Sequence, residues 1–456
     1  MDAGAAATAG RSFQPLGLRR IPRVKVHRSI ESLIPVLPRS GPPPAVLVGL
    51  CSHGLAILRS LTAKGVPVVV IESNWSQPSA QSRHGLKLHH DDLYGESLVA
   101  LLLELADVLP ARPVVFVTND KMVRLLNGRR DLRAKVHLPF PRPDLLIDLI
   151  EKDRLGPLAS RQGLRVPETH ALSGDDARAV DDAALSGVHF PAVAKPAIPM
   201  AAVKAEIVPD RASLQRLASA HPEIGRWLLQ QWIEGGDERV HFTAHYFDRS
   251  GRARASFAGQ KIRQVPRTLG NSSAARGVDR PDLIEEGLRL FRGLDVQGIV
   301  SVEFKLDREG VPWFIETTVG RSDYWLKTLL VNGVDLPAIV YSDLAGVDLG
   351  ASDRQRNRYA WVDGERDLWV FLESWSDPSV SKRRLLLQLI EPKRFALFDV
   401  RDPRPYAAWL GPLARRITSG VARRVFRKRE SREPHGNGSE PPPAAASVSS
   451  APVTRD

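Results

Sequence analysis

The sequence predicts a chain of mixed α/β and α+β class, a parallel-sheet region followed by antiparallel hairpins. Three stretches carry this reading. Residues 45–73, AVLVGLCSHGLAILRSLTAKGVPVVVIES, read as a buried strand, a Gly/Ser/His turn, an apolar-periodic helix stopped at Gly65, and a second buried strand. Strands joined through a helix pair in parallel, because a parallel pair needs a long crossover. Residues 227–248, WLLQQWIEGGDERVHFTAHYFD, read as strand, Gly-Gly turn, strand. Residues 302–321, VEFKLDREGVPWFIETTVGR, alternate apolar and polar about an Asp-Arg-Glu-Gly turn.

The elements follow in order. Residues 1–43 are Ala/Gly/Arg/Pro-rich, end in Gly-Pro-Pro-Pro, and are expected to be disordered. Residues 44–150 form the Rossmann-like parallel-sheet domain, with a further strand at 113–120. The spacing Gly49-x-x-x-x-Gly54 is not the Gly-x-Gly-x-x-Gly dinucleotide fingerprint, so the turn is weak ground for a ligand. From 151 the pattern changes: a helix with a Gly stop, then FPAVAKP (190–196), a short apolar strand holding Lys195. Residues 347–410 mix short strands and helices into a C-terminal α+β extension. Residues 411–456 are basic, then Pro/Ala/Ser-rich, and are expected to be disordered.

Charge and cysteine usage exclude some classes. The net charge is +12, but residues 1–30 hold six Lys/Arg against one acid, and residues 411–433 hold eight against two. The body is therefore close to neutral, which argues against a nucleic-acid enzyme with a basic face. A single cysteine, Cys51, rules out an intramolecular disulfide and suits a reducing, cytoplasmic setting. No apolar run is long enough to span a bilayer. The stretch 413–428 places Leu413, Ile417, Val421 and Val425 on one helical stripe among arginines, a pattern that could touch a membrane surface weakly. HHDD (89–92) holds ligand-type residues in a row, and adjacent residues rarely face one metal.

The hairpin poses the chemical question. With a turn near Arg308–Val311, Glu303 and Glu316 come opposite or diagonal, within about 5–8 Å. Val302, Phe304 and Leu306 fall on one face with Trp313 and Ile315 across from them. The other face carries Glu303, Lys305, Phe314, Glu316 and Thr318. Two facing carboxylates need a positive charge between them. Lys305 could supply it. So could Mg²⁺, which takes one or two carboxylates together with substrate phosphates.

The order of parts along the chain resembles the ATP-grasp superfamily of carboxylate–amine ligases. Lys152 opens a helix, Lys195 sits near a strand end, QQWIEGGD runs into a polar turn, GQKIRQVPRTLG (259–270) carries cations, and the two-glutamate hairpin follows. The resemblance covers about 45–345 and is strongest over 190–345. It implies a two-lobed ATP-grasp domain at 151–346 with a lid at about 195–235. It also implies that Lys152 and Lys195 contact ATP phosphates, that Gln230, Gln231, Trp232 and Ile233 take the adenine ring, and that Asp237 takes the ribose hydroxyls. Lys261 and Arg263 correspond to cations facing the γ-phosphate and an acyl phosphate, and a backbone N–H near Gly320, with Arg321, to groups that stabilise its charge. Glu303 and Glu316 correspond to the family's ligands for Mg²⁺, or Mn²⁺ in its place. Thr318 stands where the family usually has asparagine, which weakens a second metal position. Asp323 and Tyr324 fall where the acceptor would lie.

The implied activity is ATP-dependent joining of a small-molecule carboxylate to an amine or similar nucleophile through an acyl phosphate, releasing ADP and phosphate. The residues alone leave two other readings open: a degenerate ATP-binding regulatory protein, or a sugar-nucleotide-dependent transferase at a membrane surface. They also leave homo-oligomer formation open.

Overall fold

The computed structural model describes residues 24–38, 40–197, 205–378, 380–411 and 413, without the side chains of 152, 153 and 365. The first sheet is parallel, with strands β1 (Ala45–Val48), β2 (Val68–Glu72), β3 (Leu86–His89) and β4 (Val114–Val117) in the order β3-β2-β1-β4. Every residue of β1, β2 and β4 is buried, as expected when helices cover both faces of a parallel sheet. The helix Ser52–Ala63 is the crossover between β1 and β2. The strand expected at 113–120 is thus the fourth of its sheet. β3 escaped the reading because LKLH is short and offers little periodicity.

The expectation of disorder over 1–43 is corrected for the part around Ile30–Leu33. Residues Ile30–Leu33 form one helical turn, and Ile30 and Leu33 are buried in the core of this domain. His27 adds an isolated bridge to Leu88 at the sheet edge. Two apolar side chains one turn apart suffice to tie the segment down. Residues 1–23 lie outside the described residues.

A second, antiparallel sheet holds β5 (Thr169–Ser173), β6 (Ala192–Pro196), β7 (Glu206–Val208) and β8 (Arg226–Gln231) in the order β5-β8-β6-β7. The helices Gly174–Ala179 and Arg211–Ala220 supply part of its separate core with Trp227, Leu214 and Leu229. The sheet therefore begins well before the expected lid at 195–235, because β5 pairs with β8 from Arg226 to Gln230.

The third sheet comprises β9 (Val240–Phe247), β10 (Ala253–Val265), β11 (Asn271–Gly277), β12 (Gly298–Leu306), β13 (Pro312–Val319), β14 (Ala360–Val362) and β15 (Lys393–Phe395). Their order is β13-β12-β9-β10-β11-β14-β15, antiparallel throughout except for β14 with β15. The expected C-terminal extension thus continues this sheet through β14 and β15. The stretch FDVRDPRP is anchored by Asp402, which is buried and accepts hydrogen bonds from Arg59 Nε (3.0 Å), Ser82 Oγ (2.7 Å) and the Arg83 N–H (3.0 Å). Among the described residues no helix is long and apolar enough to cross a membrane. Residues 414–428, nearly all of the amphipathic stretch, lie outside the described residues.

Candidate active site

A cavity of about 460 Å³ separates the second sheet from the third. Its upper wall is Val193 and Lys195 of β6, Gln230 and Gln231 of β8, and the following Trp232 and Ile233. The lower wall comes from β10, β11, β12 and β13, among them Lys261, Ser272, Glu303 and Glu316. This is a ligand-sized volume.

The carboxylate pair is as the hairpin reading expects. Glu303 and Glu316 are direct cross-strand partners. The face assignment is corrected by a β-bulge. After Glu303–Glu316 the next pair is Phe304–Phe314, so Ile315 is the extra residue. One inserted residue inverts a strand's faces beyond it. Phe314 is therefore buried against the core and Ile315 lines the cavity, the reverse of simple alternation.

Lys261, not Lys305, neutralises the pair. Its Nζ lies 2.6 Å from Glu303 Oε2 and 3.1 Å from Gln264 Oε1. Burial pushes the Glu303 carboxyl up to about 7; Lys261 opposes this, while Glu316 and Asp323 add to it. Lys305 instead sits over the Trp232 ring, 3.5 Å from its centroid, and burial lowers its ammonium to about 8. Lys195 Nζ donates to Gln230 Oε1 at 3.1 Å. Three lysines, from three strands, thus line one cavity with the two glutamates.

A second bulge explains the placement of Arg263. Lys261 pairs with Ala275 and Arg263 with Ala274, so Ile262 is extra and the two cations face opposite ways. Arg263 donates twice to Asp367, at 2.6 Å each, and also reaches Gln388. It does not line the cavity. Asp237 is likewise engaged elsewhere. Its carboxylate accepts from the Gln264 N–H (2.8 Å), Gln264 Nε2 (3.1 Å) and the Thr268 N–H (2.8 Å), shaping the turn between β10 and β11. Asp237 does not line the cavity, so this placement lends no support to the ribose role expected for it.

Gly320 N–H donates to the Ile299 carbonyl at 2.7 Å, so it is not turned to an incoming anion as expected. Its φ of 75° needs glycine, and an added Cβ would meet Phe140 and Val123 at 3.0 Å. Arg321 forms a fork with Asp120 (2.5 and 2.9 Å) and also reaches Asp323 at 3.3 Å. Asp120 and Asp323 line the cavity; Arg321 stands behind them. Asp323 accepts from Ser301 Oγ at 2.6 Å and from Thr318 Oγ1 at 3.0 Å. The Thr318 proton is thereby committed, and its oxygen keeps lone pairs. The Lys152 side chain lies outside the described residues.

Several lining residues had no motif to announce them. Phe242 stacks on Trp325 with centroids 3.8 Å apart. Gly259 makes room for that ring, since a Cβ there would lie 2.2 Å from Phe242 Cζ. The Ser272 hydroxyl is buried at the cavity wall with no hydrogen-bond partner in the structure. Gln264 and Asp120 are polar residues in apolar or turn contexts that carry no periodic signal.

The residues fit a divalent cation of a particular kind. Among the described residues no group of three or more His, Cys, Asp or Glu side chains could hold a metal unaided. Two facing carboxylates, one raised by burial and by its neighbour, match a hard cation that completes its shell with phosphate oxygens.

No family model matches the sequence, and no curated protein matches it. Solved structures do match. An ADP complex of an N5-carboxyaminoimidazole ribonucleotide synthetase aligns at TM-score 0.54 and 14% identity, over 70% of this chain and 80% of that one. A biotin carboxylase–ATP-type complex from Campylobacter jejuni aligns at TM-score 0.55 and 14% identity, over 70% and 74%. The N5-carboxyaminoimidazole synthetase of Staphylococcus aureus with ADP aligns at 0.53 and 12%, over 67% and 78%. At such identities the likeness concerns the fold. With a parallel α/β domain ahead of two antiparallel sheets that enclose the lysine- and glutamate-lined cavity, the chain has the fold of the ATP-grasp superfamily.

Proposed function

We propose that this chain is an ATP-dependent ligase that activates a carboxylate as an acyl phosphate and joins it to an amine, releasing ADP and phosphate. The observation that carries the proposal is the Glu303–Glu316 pair facing Lys195, Lys261 and Lys305 across one cavity. Anionic phosphates would sit among the lysines, which act as point charges on flexible stems. Trp232 and Ile233 offer backbone N–H and C=O groups to a purine edge, and Phe242 and Trp325 give the cavity an apolar wall. Glu303 and Glu316 would hold a divalent cation, which when bound neutralises phosphate oxygens. Lys261 already contacts Glu303, so it keeps that carboxylate oriented and brings a positive charge toward the phosphate end. Asp323, held by Ser301, Thr318 and Arg321, lines the same cavity as Tyr324, and the two would meet the acceptor. The protein's contribution is positioning and charge compensation, the usual demand of phosphoryl transfer. Neighbours described as ADP, ATP-type and MgADP complexes support this reading of the cavity. A cytoplasmic site of action belongs to the same proposal, since ATP and a free thiol both suit it.

The test is phosphate release from Mg·ATP against a pool of amino acids, amines and small carboxylic acids, with wild type and Glu316→Gln side by side. Release that requires a pool component and disappears in the variant is the expected result. Binding of ATP without any turnover would favour a regulatory protein. Turnover of a sugar nucleotide untouched by Glu316→Gln would favour a transferase.

A further inference from the structure

The C-terminal helices are built inside out. In the helix Gly364–Ser376, Asp367, Val370 and Ser374 are turned inward, while Leu368, Leu372 and Trp375 form an exposed stripe at i, i+4, i+7. Trp369 beside them is 53% exposed. The helix Lys382–Ile390 buries only Leu385 and leaves Leu387 55% and Ile390 80% exposed. A helix that faces water does the opposite, and apolar surface of this kind marks an interaction site.

Three acids of the same segment are paired inward. Asp367 is taken by Arg263 of β10, Asp377 by Arg267 of the turn between β10 and β11, and Glu391 by Arg276 of β11. Among the described side chains of 364–400, the exposed ionic ones are Arg383, Arg384, Arg394 and Glu373. Arg384 approaches Glu238 at 3.5 Å, and Arg394 lies over the Tyr359 ring at 4.1 Å. The exposed ionic side chains are thus three arginines to one glutamate, on a segment that also exposes Trp369 and Trp375. The chain then runs on through 411–433, with eight Lys/Arg against two acids.

We propose that the surface of residues 364–400 docks on an anionic lipid bilayer. Tryptophan and aliphatic side chains would enter the headgroup boundary, and the outward arginines would meet lipid phosphates. A second copy of the chain would offer one exposed glutamate to three exposed arginines, a poorer match in charge than an anionic bilayer. The docking is peripheral, since no described helix can span the membrane. It is independent of the ligase reading.

The test uses the full chain and sedimentation with vesicles of phosphatidylcholine, with and without phosphatidylglycerol, at low and high salt. Binding should require the anionic lipid and weaken with salt. Leu387→Asp combined with Ile390→Asp should weaken it about a hundredfold, roughly tenfold for each aliphatic side chain withdrawn. Both positions are exposed, so the variant should keep its unfolding midpoint and its ADP affinity. Charge reversal of the arginines in 415–427 is the companion variant. Binding lost by that reversal but untouched by the aspartates would overturn the proposal, placing the contact in the tail alone. So would absence of vesicle binding, whether the chain is then monomeric or forms a dimer that the aspartates dissociate.

Discussion

Removing one carboxylate from the facing pair separates its electrostatics from its chemistry. Glu303 and Glu316 are ladder partners, and Glu316 is the exposed member. Two full charges about 5 Å apart repel by about 3 kcal/mol at an effective dielectric of about 20. Solvent at Glu316 screens this toward the range of cross-strand pairs, about 1 kcal/mol. Glu316→Gln should therefore stabilise the metal-free chain by about 1 kcal/mol while abolishing turnover. The sign with pH follows from Glu303, whose folded carboxyl is raised to about 7 by burial, with Glu316 contributing. Between the unfolded value and about 7 the folded state holds the extra proton, so stability falls as pH rises through that window. The gain from Glu316→Gln should appear over the same window and vanish toward pH ~5. Glu303→Gln is the opposite control: it deprives Lys261 of its 2.6 Å ionic partner and should cost about 2 kcal/mol. The assay is urea unfolding followed by tryptophan fluorescence across pH. A loss of stability in Glu316→Gln, or a gain that ignores pH, would refute the reasoning.

Other outcomes follow from the same geometry. Arg263→Met leaves Asp367 buried without its cation and should cost about 3–5 kcal/mol, while ADP affinity of the folded fraction stays within about threefold; a selective loss of ADP binding at unchanged stability would return Arg263 to the site. Gly259→Ala drives a Cβ into the Phe242 ring and should cost about 1–3 kcal/mol and weaken ADP binding, measured by calorimetry; unchanged affinity would show that Phe242 does not shape the nucleotide wall. His245 is buried and its imidazole is lowered to about 3 by that burial, so its share of stability is lost as pH falls from about 6.5 toward 3. His245→Asn should make that acid limb shallower by up to about 1.4 kcal/mol per pH unit, and an unchanged slope would contradict the assignment.

The sequence by itself determined the parallel domain, the two-glutamate hairpin and the class of the fold. Those features rest on local periodicity and turn chemistry: buried runs flanking a helix at 45–73, and alternation about Asp307–Gly310. The resemblance to the ATP-grasp superfamily, rather than periodicity, singled out Lys195, Gln230, Trp232 and Lys261, and the structure places all four around one cavity. Only the tertiary structure decided which cation serves which carboxylate. Two single-residue bulges, at Ile262 and Ile315, invert the faces of Arg263 and Phe314, and a bulge leaves no mark in a period-two pattern. Asp237 and Gly320 N–H were likewise claimed by partners distant in sequence, a turn at 264–268 and the Ile299 carbonyl. The exposed apolar stripes of the helices at 364–390 are a tertiary result: apolar residues at helical spacing read as core until the packing shows that Asp367, paired with Arg263, marks the covered side.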